Sequence, residues 1–184
     1  NITIDNCDIR DLTTTTAYPD NCIYALGNTT ALGYYNSTIT ISNCNIFNFY
    51  HASSDNNGIL VNGGNAYWTI SGNSVYQLVS RALTANESDG IQIATNANGL
   101  AFTISNNYVG GSAANAGGSA WTMTGSGVFR GIRCSVASSP VSEIQGNTIK
   151  NISITSTSTS TVQSGISLAT GGFNCGNTDR KSVV

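Results

Sequence analysis

One short phrase returns five times along the chain: an apolar residue, a spacer, Asn or Gly, Cys or Asn, a second spacer, then Ile or Val. The copies are Ile4-Asp5-Asn6-Cys7-Asp8-Ile9, Ile41-Ser42-Asn43-Cys44-Asn45-Ile46, Ile70-Ser71-Gly72-Asn73-Ser74-Val75, Ile104-Ser105-Asn106-Asn107-Tyr108-Val109 and Ile144-Gln145-Gly146-Asn147-Thr148-Ile149. A phrase repeated at intervals of a few tens of residues is the mark of a solenoid. Its middle position alternates only between Asn and Gly, which enter the left-handed backbone region most cheaply, so a sharp bend is expected there. Before each bend apolar residues alternate with threonine, as in Ile2-Thr3-Ile4, Ile39-Thr40-Ile41, Trp68-Thr69-Ile70 and Phe102-Thr103-Ile104. That is strand periodicity with one face buried.

A second phrase recurs four times between and after the bends, a Gly followed by alternating apolar residues: Gly58-Ile59-Leu60-Val61, Gly90-Ile91-Gln92-Ile93, Gly131-Ile132-Arg133-Cys134 and Gly165-Ile166-Ser167-Leu168, with Cys22-Ile23-Tyr24-Ala25 as a degenerate first copy. Successive bends lie 37, 29, 34 and 40 residues apart, enough for one turn of three short strands and one or two variable loops. Stacking such turns pairs each strand in parallel with its equivalent about 4.8 Å away, so equivalent side chains form columns. The inner columns are Ile4, Ile41, Ile70, Ile104, Ile144 and Ile23, Ile59, Ile91, Ile132, Ile166. Five turns make a rod about 24 Å long. The expected fold is therefore all-β, a parallel β-helix of about five coils. Gly110 to Val128 and the Ser/Thr-rich Ser153 to Val162 read as loops.

The paired phrases resemble the repeats of right-handed parallel β-helix proteins, the pectate-lyase-like superfold, from Asn1 to about Cys175. The resemblance implies the right hand and an internal amide ladder just after the bend. Asn73, Asn107 and Asn147 fit that ladder, and Cys7 and Cys44 depart from it in the first two turns. It also implies an outer sheet face on which many members act on acidic polysaccharides with clustered carboxylates, Arg or bound calcium.

Composition supports an amide- and hydroxyl-solvated β protein: only 9% of residues are charged, seven basic against nine acidic, which is too sparse for a disordered or nucleic-acid-binding chain. No apolar run reaches the length of a membrane span. Asn1 opens inside a strand phrase without an initiator Met, so an internal fragment, truncated at both ends, is expected. Residues 1–178 are assigned to the repeat domain. Asp179-Arg180-Lys181-Ser182-Val183-Val184 reads back to a sequence similar to a common sequencing-adapter read, so 179–184 is expected to be a non-native tail. A solenoid cut at both ends is expected to associate end to end.

Candidate site residues are weighed against their columns. Ser88-Asp89-Gly90-Ile91 resembles part of the Asn-Thr-Asp-Gly-Ile phrase of polygalacturonase-like hydrolases, whose Asp is catalytic. The same column holds Asn57, Arg130 and Ser164, as an ordinary polar position before a turn Gly would, and no second carboxylate phrase follows although glycoside hydrolysis needs a pair. No catalytic residue is assigned; Glu87, Asp89 and Arg133 are the candidates if the chain is an enzyme. Asn177-Thr178-Asp179 is closer to that phrase, but its Asp belongs to the tail. The outer column Tyr24, Leu60, Gln92, Arg133, Ser167 varies, and the loops beside it carry His51, Asp55, Arg81, Trp121 and Arg130. Ligand-binding candidates are therefore Tyr24, Gln92, Trp121, Arg130 and Arg133, with aromatics to stack on sugar rings beside cations and amides. The alternative is that these loops are plain surface insertions with Trp121 packed over the side of the rod.

Asp5, Asp8 and Asp11 have the spacing of a calcium cluster, but their columns are polar in every copy, so calcium lacks support and no metal or other cofactor is assigned. Zinc has neither a CxxC pair nor a second histidine beside His51. Cys7 and Cys44 are near enough in adjacent turns for a disulfide, the alternative being a column of buried reduced thiols. Triplets starting at Asn28, Asn36, Asn86 and Asn151 match glycan acceptors of a eukaryotic secretory setting. The expected function is a non-catalytic scaffold or adhesin-like segment of a larger secreted or surface-attached bacterial protein, extracellular or at the cell surface. Its partner classes are a polysaccharide or cell-surface glycan and the continuation of its own β-helix. The alternatives are a polysaccharide lyase or glycoside hydrolase of the superfold and a glycan-binding module without turnover.

Overall fold

The computed structural model describes residues 1–11, 18–157 and 163–176. The end of the Ser/Thr run, the Asn177-Thr178-Asp179 phrase and the expected tail lie outside the described residues. Every bend takes the conformation its residue type favours: φ is 54° at Asn6, 52° at Asn43, 68° at Gly72, 56° at Asn106 and 64° at Gly146.

Strands flanking these bends stack into parallel sheets. One wall is built in order from Ile2–Asp5, Ile39–Ser42, Thr69–Ser71, Thr103–Ser105, Ser142–Gln145 and Phe173–Asn174. Beyond the bend, Asp8–Arg10, Asn45–Phe47, Ser74–Tyr76, Tyr108–Val109 and Thr148–Ile149 form the exit wall. The glycine wall stacks Asn21–Ala25, Asn56–Val61, Glu87–Ala94, Val128–Ser135 and Ser164–Thr170. All pairings in these walls are parallel, each strand beside its equivalent in the next pass, an arrangement compatible with a parallel β-helix. Among the described residues there is no α-helix, only three short 3-10 turns, and hence no helix long and apolar enough to cross a membrane.

The register reproduces the sequence columns. Ile4 faces Ile41, Ile41 faces Ile70 and Ile70 faces Ile104; Ile23 faces Ile59, Ile59 faces Ile91 and Ile91 faces Ile132. In the middle passes these residues are buried, each contributing roughly 1.5–3 kcal/mol by leaving water. The outermost passes are more open, Ile2 beside the first column being 58% and Ile166 in the second 37% exposed.

Two expectations are corrected. The stretches read as loops contain a further parallel wall, Arg81–Leu83, Trp121–Gly125 and Ile152–Ser156, so later passes hold four strands rather than three. Its alternation, with Trp121 and Met123 buried beside Thr122 and Thr124, was masked by Gly-rich and Ser/Thr-rich neighbours. The glycines of the Gly-Ile phrase are not turn residues either. Gly58, Gly90 and Gly131 lie inside strands without positive φ. A Cβ on Gly90 would lie 2.5 Å from the Gly131 carbonyl oxygen and 2.6 Å from Val109 Cγ1 of the exit wall. Gly is needed because the next pass's glycine carbonyl and the exit wall both pack too close for a side chain.

Candidate functional site

Along the glycine wall, Asn21, Asn57, Asp89, Arg130 and Ser164 stand in one register column. Its first members bond as amides do, Asn57 Nδ2 donating to Asn21 Oδ1 at 2.8 Å. At Asp89 the column changes character. This carboxyl is 0% exposed, and neither of its oxygens accepts a hydrogen bond. Arg130 Nη1 stands 3.8 Å from Asp89 Oδ1 but only 2.8 Å from Glu87 Oε2, and Arg133 Nη1 donates to the same Glu87 oxygen. Glu87 thus holds two guanidinium groups while Asp89 sits behind them. Loss of solvation pushes the Asp89 carboxyl up to about 7; the Arg130 charge pulls it back, Glu87 pushes it further up, and Arg133 and Asp55 act more weakly. Asp55 belongs to the same neighbourhood through its Oδ1, which accepts the Glu87 backbone N–H at 2.9 Å.

The enzyme candidates Glu87, Asp89 and Arg133 are therefore brought together, with Arg130, in one patch. Their chemistry is that of a closed ion-pair network. A general acid must reach the atom it protonates, and Asp89 has no exposed surface; a nucleophile or base must be free, and Glu87 is held by two cations.

The binding candidates divide. Tyr24 is 54% exposed, and its column runs through Leu60, Gln92, Arg133 and Ser167, as read from the sequence. Trp121 must be corrected. It is 1% exposed and packs edge-on against Phe49 and Phe129, with ring centroids 5.7 and 5.3 Å away. A ring enclosed by core aromatics offers no face to a sugar.

Two features had no sequence signal. Arg81, read as a loop cation, is buried under Tyr18 and Tyr50, its guanidinium carbon 4.2 and 4.8 Å from their ring centres, with Nε donating to Gln77 Oε1 at 2.9 Å. Only the contact between passes reveals this pairing. His51 turns inward on its own loop, Nδ1 accepting the Ser53 backbone N–H at 3.2 Å.

The acidic residues of the first pass are engaged by the second. Asp5 Oδ1 accepts from Ser42 Oγ at 2.7 Å and Asn43 Nδ2 at 3.0 Å, bonds that hold its carboxyl below the ordinary value. Asp8 Oδ1 accepts from Asn45 Nδ2 at 2.8 Å. Among the described residues no group of three or more His, Cys, Asp or Glu side chains is placed to hold a metal ion.

Inside the bend, the amide ladder is continuous. Asn73 Nδ2 donates to Asn107 Oδ1 and Asn107 Nδ2 to Asn147 Oδ1, both at 2.9 Å, while the same oxygens accept the backbone N–H of Asn73 and Asn107 at 3.0 Å. At its other end Asn73 Oδ1 accepts the Cys44 backbone N–H at 3.0 Å. Cys7 and Cys44 are free thiols in the next two places of the column. Of the sequons, Asn86 is buried with its amide donating to the Ser54 carbonyl at 2.5 Å, and the Asn151 amide reaches the carbonyls of Gly118 and Ser119.

No protein-family model matches the chain, and no curated protein and no solved structure matches it.

Proposed function

We propose that the chain is a right-handed parallel β-helix of about five coils, of the pectate-lyase-like superfold, acting as a non-catalytic scaffold or adhesin-like segment of a larger secreted or surface-attached bacterial protein. The observation that carries this reading is the enclosure of Asp89 behind the ion pairs of Glu87. Asp89 is enclosed and Glu87 is clamped between Arg130 and Arg133. A lyase or glycoside hydrolase built on Glu87, Asp89 and Arg133 would need carboxyl groups open to the sugar. In-register columns and the amide ladder, by contrast, serve stacking itself.

The test is turnover. Purified chain incubated with acidic and neutral polysaccharides should release neither new reducing ends nor unsaturated uronide absorbance. Turnover that disappears in Glu87→Gln would overturn the scaffold reading in favour of the enzyme.

A glycan-binding module without turnover is the second reading, favoured by the exposed Tyr24 ring in the column of Gln92 and Arg133. Binding on a glycan array that is lost in both Tyr24→Ala and Arg133→Ala, with folding intact, would support it. Binding unaffected by either change would exclude this column as the glycan surface.

A further inference from the structure

Cys7 and Cys44 each follow the left-handed residue of their bend, and the pairs on either side are in parallel register: Asp5 with Ser42 and Asp8 with Asn45. Backbone bonds hold the two bends together, Asn6 N–H donating to the Ser42 carbonyl at 3.1 Å and Asn45 N–H to the Cys7 carbonyl at 2.9 Å. The thiols point the same way. Cys7 Sγ donates to the Asp5 carbonyl at 3.2 Å and Cys44 Sγ to the Ser42 carbonyl at 3.0 Å, each two residues back along its own strand. Cys44 Sγ also reaches the first pass, 3.7 Å from the Ile4 carbonyl.

The column gives this contact a meaning. In later passes Asn73, Asn107 and Asn147 join neighbouring turns through their side-chain amides, and the ladder ends where its last oxygen meets the Cys44 N–H. Cys7 and Cys44 cannot extend an amide ladder. Equivalent residues of adjacent parallel strands, about 4.8 Å apart, are however within the Cα separation that a disulfide spans. We propose that Cys7 and Cys44 are a disulfide-forming pair that covalently joins the first pass to the second, where the amide ladder stops.

The oxidant is a small-molecule disulfide such as oxidised glutathione. Cys7 is exposed and Cys44 buried, so Cys7 reacts first. Its thiolate attacks one sulfur of the reagent; the reagent's S–S bond breaks, a mixed disulfide forms, and the departing thiolate takes up the proton Cys7 released. Cys44, as thiolate, then attacks Cys7 Sγ, forming the bond between the two cysteines and releasing the second thiol. In sum two protein thiols are oxidised and one reagent disulfide is reduced to two thiols. Burial holds the Cys44 thiol above its ordinary pKa, so the second step quickens with rising pH.

The experiment treats reduced, folded protein with oxidised glutathione at about pH 7 and about pH 9, followed by non-reducing digestion with trypsin and chymotrypsin and mass spectrometry. Trypsin cuts after Arg10, between the two cysteines. The expected result is a Cys7–Cys44 cross-linked peptide two hydrogens lighter than the sum of its parts. It should accumulate several-fold faster at the higher pH, and the cross-linked protein should melt at a higher temperature than the reduced one. In Cys7→Ser, a change at an exposed position, Cys44 should stay a free thiol while Cys175, also exposed, is still glutathionylated. A lasting mixed disulfide on Cys7 at both pH values, or Cys7 joined to Cys175 of another molecule with Cys44 still reduced, would overturn the proposal.

Discussion

Replacing Asn107 by alanine measures what the amide ladder contributes. The Asn107 side chain is fully buried and makes four hydrogen bonds: Oδ1 accepts from the Asn73 backbone N–H and from Asn73 Nδ2, and Nδ2 donates to the Ile70 carbonyl and to Asn147 Oδ1. Alanine strands the buried Asn73 N–H, worth about 1–3 kcal/mol, and removes three further bonds, each worth about 0.5–1.5 kcal/mol. Asn73 Nδ2 still donates to the Ile41 carbonyl and Asn147 Oδ1 still accepts the Asn107 N–H, so the total is about 2.5–7.5 kcal/mol. Urea unfolding followed by circular dichroism gives the difference. The matched control is Asn45→Ala, which deletes one solvent-facing bond to Asp8 and should cost under about 1 kcal/mol. If Asn107→Ala falls within about 1 kcal/mol of that control at unchanged urea slope, the ladder is not a source of stability and the argument fails. Asn107→Asp sharpens the test. It keeps the shape and the acceptor but puts a carboxyl in a dry column, so it should destabilise more at about pH 7 than at about pH 4.

Three further outcomes follow from the packing. Asp89 titrates near about 3.9 when unfolded but near about 7 when folded, so between those values the folded state binds more protons. Stability should fall as pH rises across that window, by up to about 4 kcal/mol, and level off above it; Asp89→Asn, matching Asn57 and Asn21, should flatten the profile and stabilise the chain at about pH 8. A wild-type profile that rises across the same window would refute the buried carboxyl. Trp121→Ala should cost about 3–5 kcal/mol in chemical denaturation as the contacts to Phe49 and Phe129 are lost, whereas a surface ring would cost almost nothing. Gly90→Ala should cost about 1–3 kcal/mol because its Cβ meets the Gly131 carbonyl, while Gly33→Ala, with nothing within 4 Å, should be close to neutral; equal melting temperatures would refute the close-approach account.

The stacking was legible because its signals are local. Asn6, Asn43, Gly72, Asn106 and Gly146 announce the bend by residue type, and alternation around Ile41, Ile70 and Ile104 announces the strand; both survive in the register. The side wall was not legible. Trp121-Thr122-Met123-Thr124 alternates correctly and Ile152-Ser153-Ile154-Thr155 repeats it, but Arg81-Ala82-Leu83 does not and both repeats sit in Gly-rich or Ser/Thr-rich stretches. Composition then pointed to loops where pairing across passes makes strands. The Gly-Ile phrase was read at the right positions for the wrong reason, since the crowding at Gly90 comes from the Gly131 carbonyl of the next pass and from Val109 in the exit wall.

The candidate site shows the same division. Glu87, Asp89, Arg130 and Arg133 could be placed on one wall from the repeat alone, because equivalent positions stack at a fixed rise. Which of them face solvent, and which pair, depends on rotamers and neighbours tens of residues away. Glu87 and Arg133 are 46 residues apart in sequence, yet their contact, with Arg130 alongside, leaves Asp89 enclosed. Backbone preference and side-chain period are properties of a few consecutive residues, so sequence alone determined the bends, the columns and the parallel stacking they demand. Burial and charge pairing are properties of the space between passes. Only the tertiary structure decided that Trp121 is core, that Arg81 lies under two tyrosines, and that Asp89 is enclosed behind the ion pairs of Glu87.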